Sequence, residues 1–133
     1  TLFVSDFMKE VISTPDAPAA VGPYSQAIKA GGFIYVSGQI PLVPQTGTLV
    51  SDDVADQTAQ SIRNIETILK AAGASLKDVI KTTVFITNMA DFGKINTEYA
   101  KYFTEKAPAR ACVEVSKLPK GAQLEIEAVA YIG

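Results

Sequence analysis

An arginine at the start of a predicted strand is the residue of this sequence best suited to binding an anion. From position 109 to position 115, polar and apolar residues alternate with the period of a β-strand. The polar set is Arg110, Cys112 and Glu114, and the apolar set is Ala111, Val113 and Val115. A guanidinium held at a strand end is a planar fork for a carboxylate or a phosphate. An ion pair between Arg110 and Glu114 or another acidic residue is the structural alternative.

Two glutamates on the last predicted strand are the second candidate for chemistry. Residues 123–131 place Glu125 and Glu127 on one face of the strand and apolar side chains on the other. Carboxylates are seldom buried without a partner. The pair therefore needs cationic partners, water or a catalytic task.

Two further positions are marked by the backbone that surrounds them. Gly22 and Pro23 predict a sharp turn that presents Tyr24 from a loop, although a half-buried core tyrosine is the alternative. Gly38 interrupts a β-branched run, which predicts a bulge or a place where a ligand or another chain approaches the backbone closely. A simple packing glycine is the alternative at position 38.

Composition excludes several classes of function. The chain has 133 residues, 47% of them hydrophobic, which predicts one domain. Its 12 basic residues are spread along the sequence and its net charge is -2, so nucleic acid is a poor candidate partner. Without histidine and with one cysteine, no metal site and no cofactor is predicted, and a reducing compartment is favoured. No apolar run approaches the roughly 20 residues of a membrane span.

The elements that position these residues follow from periodicity and turn signals. Strands are predicted at 9–13, 27–30, 33–40, 79–87, 109–115 and 123–131, helices at 52–72 and 91–103, and loops or turns at 41–48 and 118–121. Asp53 or Asp52 should cap the first helix, with Gln57 on its outer face, and Asp91 should cap the second. Asn96 lies beside the inward face of that helix and is expected to hold a loop through hydrogen bonds.

These elements predict an α+β fold with a single mixed sheet of about six strands and two helices on one face. Residues 1–8 are expected to form a flexible N-terminal segment, and residues 9–133 a single domain. Two helices cover only one side of the sheet. The other side, with Phe33, Tyr35 and Val129, would expose an apolar patch in a monomer, so a homo-oligomer is predicted.

Five segments resemble the YjgF/RidA family of reactive-intermediate (enamine/imine) deaminases, also called L-PSP-type proteins. They are residues 17–26 (APAAVGPYSQ), 36–41 (VSGQIP), 81–85 (KTTVF), 108–115 (PARACVEV) and 118–128 (LPKGAQLEIEA). The resemblance covers about residues 11–131, with the segments in the same order. It implies a chorismate-mutase-like fold and a homotrimer with active sites in the clefts between subunits.

The resemblance also implies a reaction. Enzymes of this family hydrolyse reactive 2-enamine and 2-imine acids, such as 2-aminoacrylate and 2-aminocrotonate, to 2-keto acids and ammonia, and so protect against metabolite damage. Pyridoxal-phosphate dehydratases release these substrates, and the hydrolysis needs no cofactor. A cytoplasmic or mitochondrial-matrix location fits this role.

Residue by residue, the resemblance implies a site. Arg110 matches the carboxylate clamp, Glu125 the residue that positions or activates water, and Tyr24 a tyrosine that lines the pocket. Further cleft positions match Ser37, Gly38, Asn96 and Cys112. An inert, buried Cys112 is favoured over a reactive thiol. An endoribonuclease acting on single-stranded RNA is one alternative function, and a non-catalytic small-ligand binding module or chaperone, which would need Arg110 but not Glu125, is another.

Overall fold

A six-stranded mixed sheet with helices on one face organises the part of the chain that the structure, a computed structural model, describes, residues 8–133. The strands are β1 (Glu10–Ile12), β2 (Ala27–Ala30), β3 (Phe33–Gln39), β4 (Leu42–Val43), β5 (Thr48–Leu49), β6 (Val79–Ile86), β7 (Ala109–Glu114) and β8 (Leu124–Tyr131). The helices are α1 (Val54–Ala71) and α2 (Phe92–Tyr99), with 3₁₀ turns at Leu76–Asp78, Met89–Asp91 and Pro119–Gly121. The predicted α+β class is confirmed. Most of the predicted flexible segment, residues 1–7, lies outside the described residues.

The strand order is β1-β2-β3-β8-β6-β7. All neighbouring pairs are antiparallel except β6 and β7, which are parallel. Strands β3 and β6, which helix α1 connects in the chain, therefore run in the same direction with β8 between them. Because β7 is an edge strand, its far side has no strand partner within residues 8–133.

Helix α1 packs an apolar stripe onto the sheet. Asp53 caps its start and accepts a hydrogen bond from the Asp56 N–H at 2.9 Å. Gly73, with φ +82°, follows its end. The prediction that Gln57 faces solvent was wrong, because its side chain is buried and hydrogen-bonded to Ser51 O and to the Gln123 N–H. A buried amide is stable there because both of its polar ends have partners.

Helix α2 is shorter than predicted, since it ends at Tyr99 rather than near position 103. The side chain of Asp91 makes no capping hydrogen bond. Asn88 instead accepts from the Ala90 N–H at 3.0 Å and starts a 3₁₀ turn that leads into the helix. Tyr99 and Phe103 are nevertheless buried against the sheet.

The predicted loop at 41–48 contains a small hairpin, β4 and β5, that the sequence analysis missed. The buried Asn64 of α1 donates to the Leu42 carbonyl at 2.9 Å and fixes this hairpin on the helix. Two-residue strands carry too little periodic pattern to be recognised from sequence.

The face of the sheet opposite the helices carries exposed apolar residues, as predicted. Phe33, Tyr35 and Tyr131 lie on it and are 37–50% exposed. The apolar side of β7, with Val113, also points to this outer face, while Arg110 and Cys112 point toward α2. No helix of the described residues is both long and apolar enough to cross a membrane.

Candidate functional site

Four of the predicted site residues line one cavity at the end of the sheet. Tyr24, Ser37, Gly38 and Glu125 surround a volume of about 650 Å³ that is also lined by Lys120. The cavity opens on the outer face of the sheet, because Glu125 alternates along β8 with the core residues of the inner face. The Glu125 carboxylate and the exposed Tyr24 side chain therefore line the same cavity.

Gly38 and Glu125 are in direct contact. A Cβ atom at position 38 would collide with Oε2 of Glu125, so only glycine leaves room for the carboxylate. The β3–β8 register shifts between Val36 and Gln39, which is the irregularity of a bulge. The predicted bulge at Gly38 is therefore confirmed, and the group that approaches its backbone in this chain is the Glu125 side chain.

Glu125 is half-buried, and its environment favours the protonated form. Loss of hydration raises the pKa of Glu125 above its ordinary value, and the negative charge of Glu127 raises this pKa further. Within residues 8–133, Glu125 forms no ion pair. A carboxyl group with a raised pKa is suited to exchanging a proton with a bound molecule.

Hydrogen bonds hold the walls of the cavity. The Ser37 hydroxyl donates to the Ser25 carbonyl at 2.6 Å, so it braces the loop that carries Tyr24. The Tyr24 hydroxyl accepts from the Val21 N–H at 3.3 Å, and the side chain is 53% exposed. Tyr24 is thus presented from a loop, as predicted, rather than packed in the core.

Gln26, which the sequence analysis did not select, fixes the outer wall. Its side chain is 4% exposed; it donates to the Pro18 carbonyl at 2.8 Å and accepts from the Thr14 N–H at 2.7 Å. It also donates to the carbonyls of Thr14 and Ala17. A polar residue directly before the second predicted strand was the sequence signal for this role.

Arg110 lies elsewhere, on the helix face of the sheet. Its guanidinium carbon is 4.9 Å from the ring centre of Tyr99 and 5.5 Å from that of Phe92, within cation–π range. Within residues 8–133 the side chain forms neither an ion pair nor a hydrogen bond. The alternative of an Arg110–Glu114 ion pair was wrong, since Glu114 instead accepts from the Met89 N–H at 2.7 Å.

Asn96 and Cys112 are on the Arg110 side. Asn96 is half-buried on α2, and its side chain holds no loop through a hydrogen bond in the described part of the chain. Burial raises the pKa of the Cys112 thiol, while the positive charge of Arg110 opposes this shift. The thiol is therefore mainly protonated at neutral pH, which agrees with the inert cysteine that was expected.

A single chain does not bring all the predicted residues together. Arg110 faces α2, whereas Glu125 faces the opposite side of the sheet. Strand β6 lies between their strands, which separates the two backbones laterally by about 10 Å. Any molecule that touches both side chains at once must therefore lie between copies of the chain or reach around the sheet.

Comparison with known proteins identifies the family. The family described as Endoribonuclease L-PSP matches residues 14–132. The chain is 59% identical to a RutC family protein of Pyrococcus horikoshii, over 93% of this chain and 98% of that protein. It is 48% identical to the human 2-iminobutanoate/2-iminopropanoate deaminase, over 98% of this chain and 95% of that protein.

A solved structure agrees with these matches. The crystal structure of Escherichia coli TdcF with bound serine superposes with a TM-score of 0.89 at 47% identity, covering 94% of this chain and 100% of that one. The chain belongs to the YjgF/RidA family, also called the L-PSP family.

Proposed function

We propose that this protein hydrolyses 2-imine and 2-enamine acids to 2-keto acids and ammonia, in sites formed between the subunits of a homotrimer. The observation that carries the proposal is the half-buried Glu125 held against Gly38 inside the cavity. The names of the deaminases that are 47–48% identical to the chain support the same reaction. No cofactor takes part in the proposed chemistry.

The reaction needs a positioned water and a group that exchanges protons. The imine carbon is already electrophilic, so holding water against it provides much of the catalysis. Glu125 accepts a proton as the water oxygen bonds to carbon and the C=N electron pair moves to nitrogen. It then returns that proton to nitrogen, which gives the carbinolamine. Transfer of the carbinolamine O–H proton to the amino nitrogen by way of Glu125, with formation of C=O and cleavage of the C–N bond, releases the keto acid and ammonia. An enamine reaches the same imine when its β-carbon is protonated.

Arg110 provides carboxylate recognition in this proposal. Its donors are unpaired within residues 8–133, and a guanidinium binds a carboxylate through two parallel hydrogen bonds. Because Arg110 and Glu125 are on opposite faces of one sheet, the Arg110 of one subunit would complete the Glu125 cavity of another. Such head-to-tail contacts generate closed rings, and a trimer is one of them.

The remaining cavity residues have supporting roles in the proposal. Tyr24 lines the wall, and the backbone at Gly38 and Cys112 is available to contact the imine or the water. Asn96 would line the Arg110 side. The apolar outer face, with Tyr35 and Tyr131, would be buried between subunits.

The experiment couples the protein to a pyridoxal-phosphate dehydratase that produces 2-aminoacrylate from serine. Dehydration of an amino acid of this kind is the class of reaction that would supply the substrate. We expect wild-type protein to accelerate pyruvate formation, and Arg110→Ala and Glu125→Gln to lose most of this acceleration. Arg63→Ala and Glu66→Gln, at exposed positions, are the matched controls. Unaltered acceleration by Glu125→Gln would reduce the glutamate to a structural role, and no acceleration by folded, oligomeric wild-type protein would favour a binding module.

The family description also names an endoribonuclease. The cavity carries Glu125 and Glu127 and the chain has a net charge of -2, so a phosphate backbone would be repelled. Cleavage of single-stranded RNA that requires Arg110 and falls steeply with salt would favour this second activity over deamination.

A further inference from the structure

The aromatic platform beneath Arg110 has no role in the scheme above, yet it is the main support of the guanidinium. Arg110 is half-exposed and has several freely rotating bonds, which would cost binding free energy if a ligand had to order them. Its only recorded side-chain partners within residues 8–133 are the rings of Tyr99 and Phe92. The orientation of the guanidinium therefore depends on these rings.

Tyr99 is itself held in place by Phe103 and Thr82. Its side chain is 7% exposed, and the Phe103 ring centre lies 4.7 Å from its own. Its hydroxyl shares a hydrogen bond of 2.7 Å with the hydroxyl of Thr82, which is fully buried. Burial raises the pKa of Tyr99, so the hydroxyl stays protonated and keeps this bond at neutral pH.

The sheet register connects these groups. Thr82 on β6 is paired with Arg110 on the parallel strand β7. Both side chains point to the helix face, where Tyr99 packs over Thr82 and under the guanidinium. The N–H groups of a guanidinium point outward within its own plane, so a guanidinium held by neighbouring rings can offer two of them to a carboxylate.

We propose that Tyr99 and Thr82 are positioning residues that fix the Arg110 guanidinium in the orientation that receives a substrate carboxylate. The inference rests on the proposed function for the identity of the ligand. The contact between Tyr99 and the Arg110 guanidinium lies within one chain and can be measured without enzymatic turnover. Neither residue touches the reacting atoms in this scheme.

Arg63 and Arg110 are the two arginines of the sequence, so arginine side chains can be observed individually. In protein labelled with ¹⁵N-arginine, the Nε–H signal of Arg110 should be shifted by the Tyr99 ring current, and that of the exposed Arg63 should not. Arg63→Lys assigns the two signals. Pyruvate, the keto acid of the proposed reaction, is the probe for carboxylate binding.

Tyr99→Leu removes the ring and should move the Arg110 signal toward the position of Arg63. We expect KM for 2-aminoacrylate and Kd for pyruvate to rise roughly tenfold, the size of a partly desolvated cation–π contact, with kcat changed by less than about twofold. Ile34→Val is the control, because this side chain is also fully buried but lies on β3, which is separated from the strand of Arg110 by β8 and β6. It should lower stability without moving the signal or KM.

Two gentler variants test the same point if Tyr99→Leu does not fold. Tyr99→Phe and Thr82→Val each remove the shared hydrogen bond but keep the shape, and each should shift the Arg110 signal slightly and raise KM about threefold. An unmoved Arg110 signal in all three variants, or equal changes of KM in Tyr99→Leu and Ile34→Val, would overturn the inference. If wild type shows no turnover and no pyruvate binding, the proposed function fails, and the Arg110 signal still decides whether Tyr99 orients the guanidinium.

Discussion

The Glu125 carboxylate occupies the space in which a side chain at position 38 would begin. This contact joins two strands, β3 and β8, at the point where their register shifts. The position of the Glu125 side chain therefore depends on the absence of a side chain at position 38. A change at either position should therefore alter the other.

Gly38→Ala should displace the Glu125 side chain and remove most of the activity. We expect a loss of stability of about 1–3 kcal/mol, the usual cost of overpacking a filled site. The measurements are kcat/KM and thermal unfolding. Gly93→Ala is the control, since a Cβ atom at position 93 meets no atom within 4 Å. This variant should leave kcat/KM and the thermal unfolding temperature nearly unchanged. Full activity in Gly38→Ala would show that the position of Glu125 is unimportant.

Glu127→Gln should shift the pH dependence of activity. Glu127 raises the pKa of Glu125, so its neutral substitute should lower this pKa. If ionised Glu125 accepts the proton of water, the acid limb of kcat/KM should move to lower pH. Measurement of kcat/KM from pH 4 to pH 9 tests this, and a shift to higher pH would contradict the electrostatic coupling.

The same raised pKa has a consequence for stability. The pKa of Glu125 is higher in the folded state than in the unfolded state. At pH values between these two pKa values, the folded state therefore binds more protons than the unfolded state. The contribution of Glu125 to stability should therefore decrease as pH rises from the unfolded value through the folded one. Urea unfolding of wild type and Glu125→Gln over this range should show wild type losing stability relative to the variant as pH increases. The opposite slope would contradict the shift.

Gln26→Leu should release the loop that forms the outer wall of the cavity. The change leaves the Thr14 N–H and three carbonyl groups without their side-chain partner. We expect a loss of about 2–4 kcal/mol and faster hydrogen exchange at the Thr14 amide. Gln45→Leu, at an exposed position, is the control and should change neither the stability nor the hydrogen exchange of the Thr14 amide. Unchanged exchange at Thr14 would show that the loop is held by other contacts.

The outer face gives a prediction about assembly. Tyr35 is 50% exposed at the centre of an apolar surface, so Tyr35→Glu should prevent copies of the chain from packing there. Light scattering should show a trimer for wild type and a smaller species for the variant. Met89→Glu, at an exposed apolar residue on another part of the chain, is the control. A monomeric wild type would contradict the proposed assembly.

The sequence was informative wherever one local rule decided the outcome. Alternation predicted β7 and β8, Asp53 predicted the start of α1, and the cost of a glycine in a strand pointed to Gly38. Alternation cannot say which face of a strand meets the helices, because both faces show the same period. The orientation of Arg110 and Cys112 toward α2 was for that reason not predicted.

Other features depend on tertiary contacts that no short pattern contains. Gln57 is buried because Gln123, far away in sequence, supplies a partner. The placement of Arg110 over Tyr99 depends on the pairing of β6 with β7 and on the packing of α2. The separation of Arg110 from Glu125 follows from the strand order, which places β6 between β8 and β7.

The most direct test of the central claim mixes two inactive variants. Arg110→Ala and Glu125→Gln are unfolded together, refolded as a mixture and assayed for 2-aminoacrylate hydrolysis. If one subunit supplies Arg110 and another supplies Glu125, random mixing should restore about one quarter of the wild-type sites. Activity no greater than the sum of the separately refolded variants would contradict a site formed between subunits.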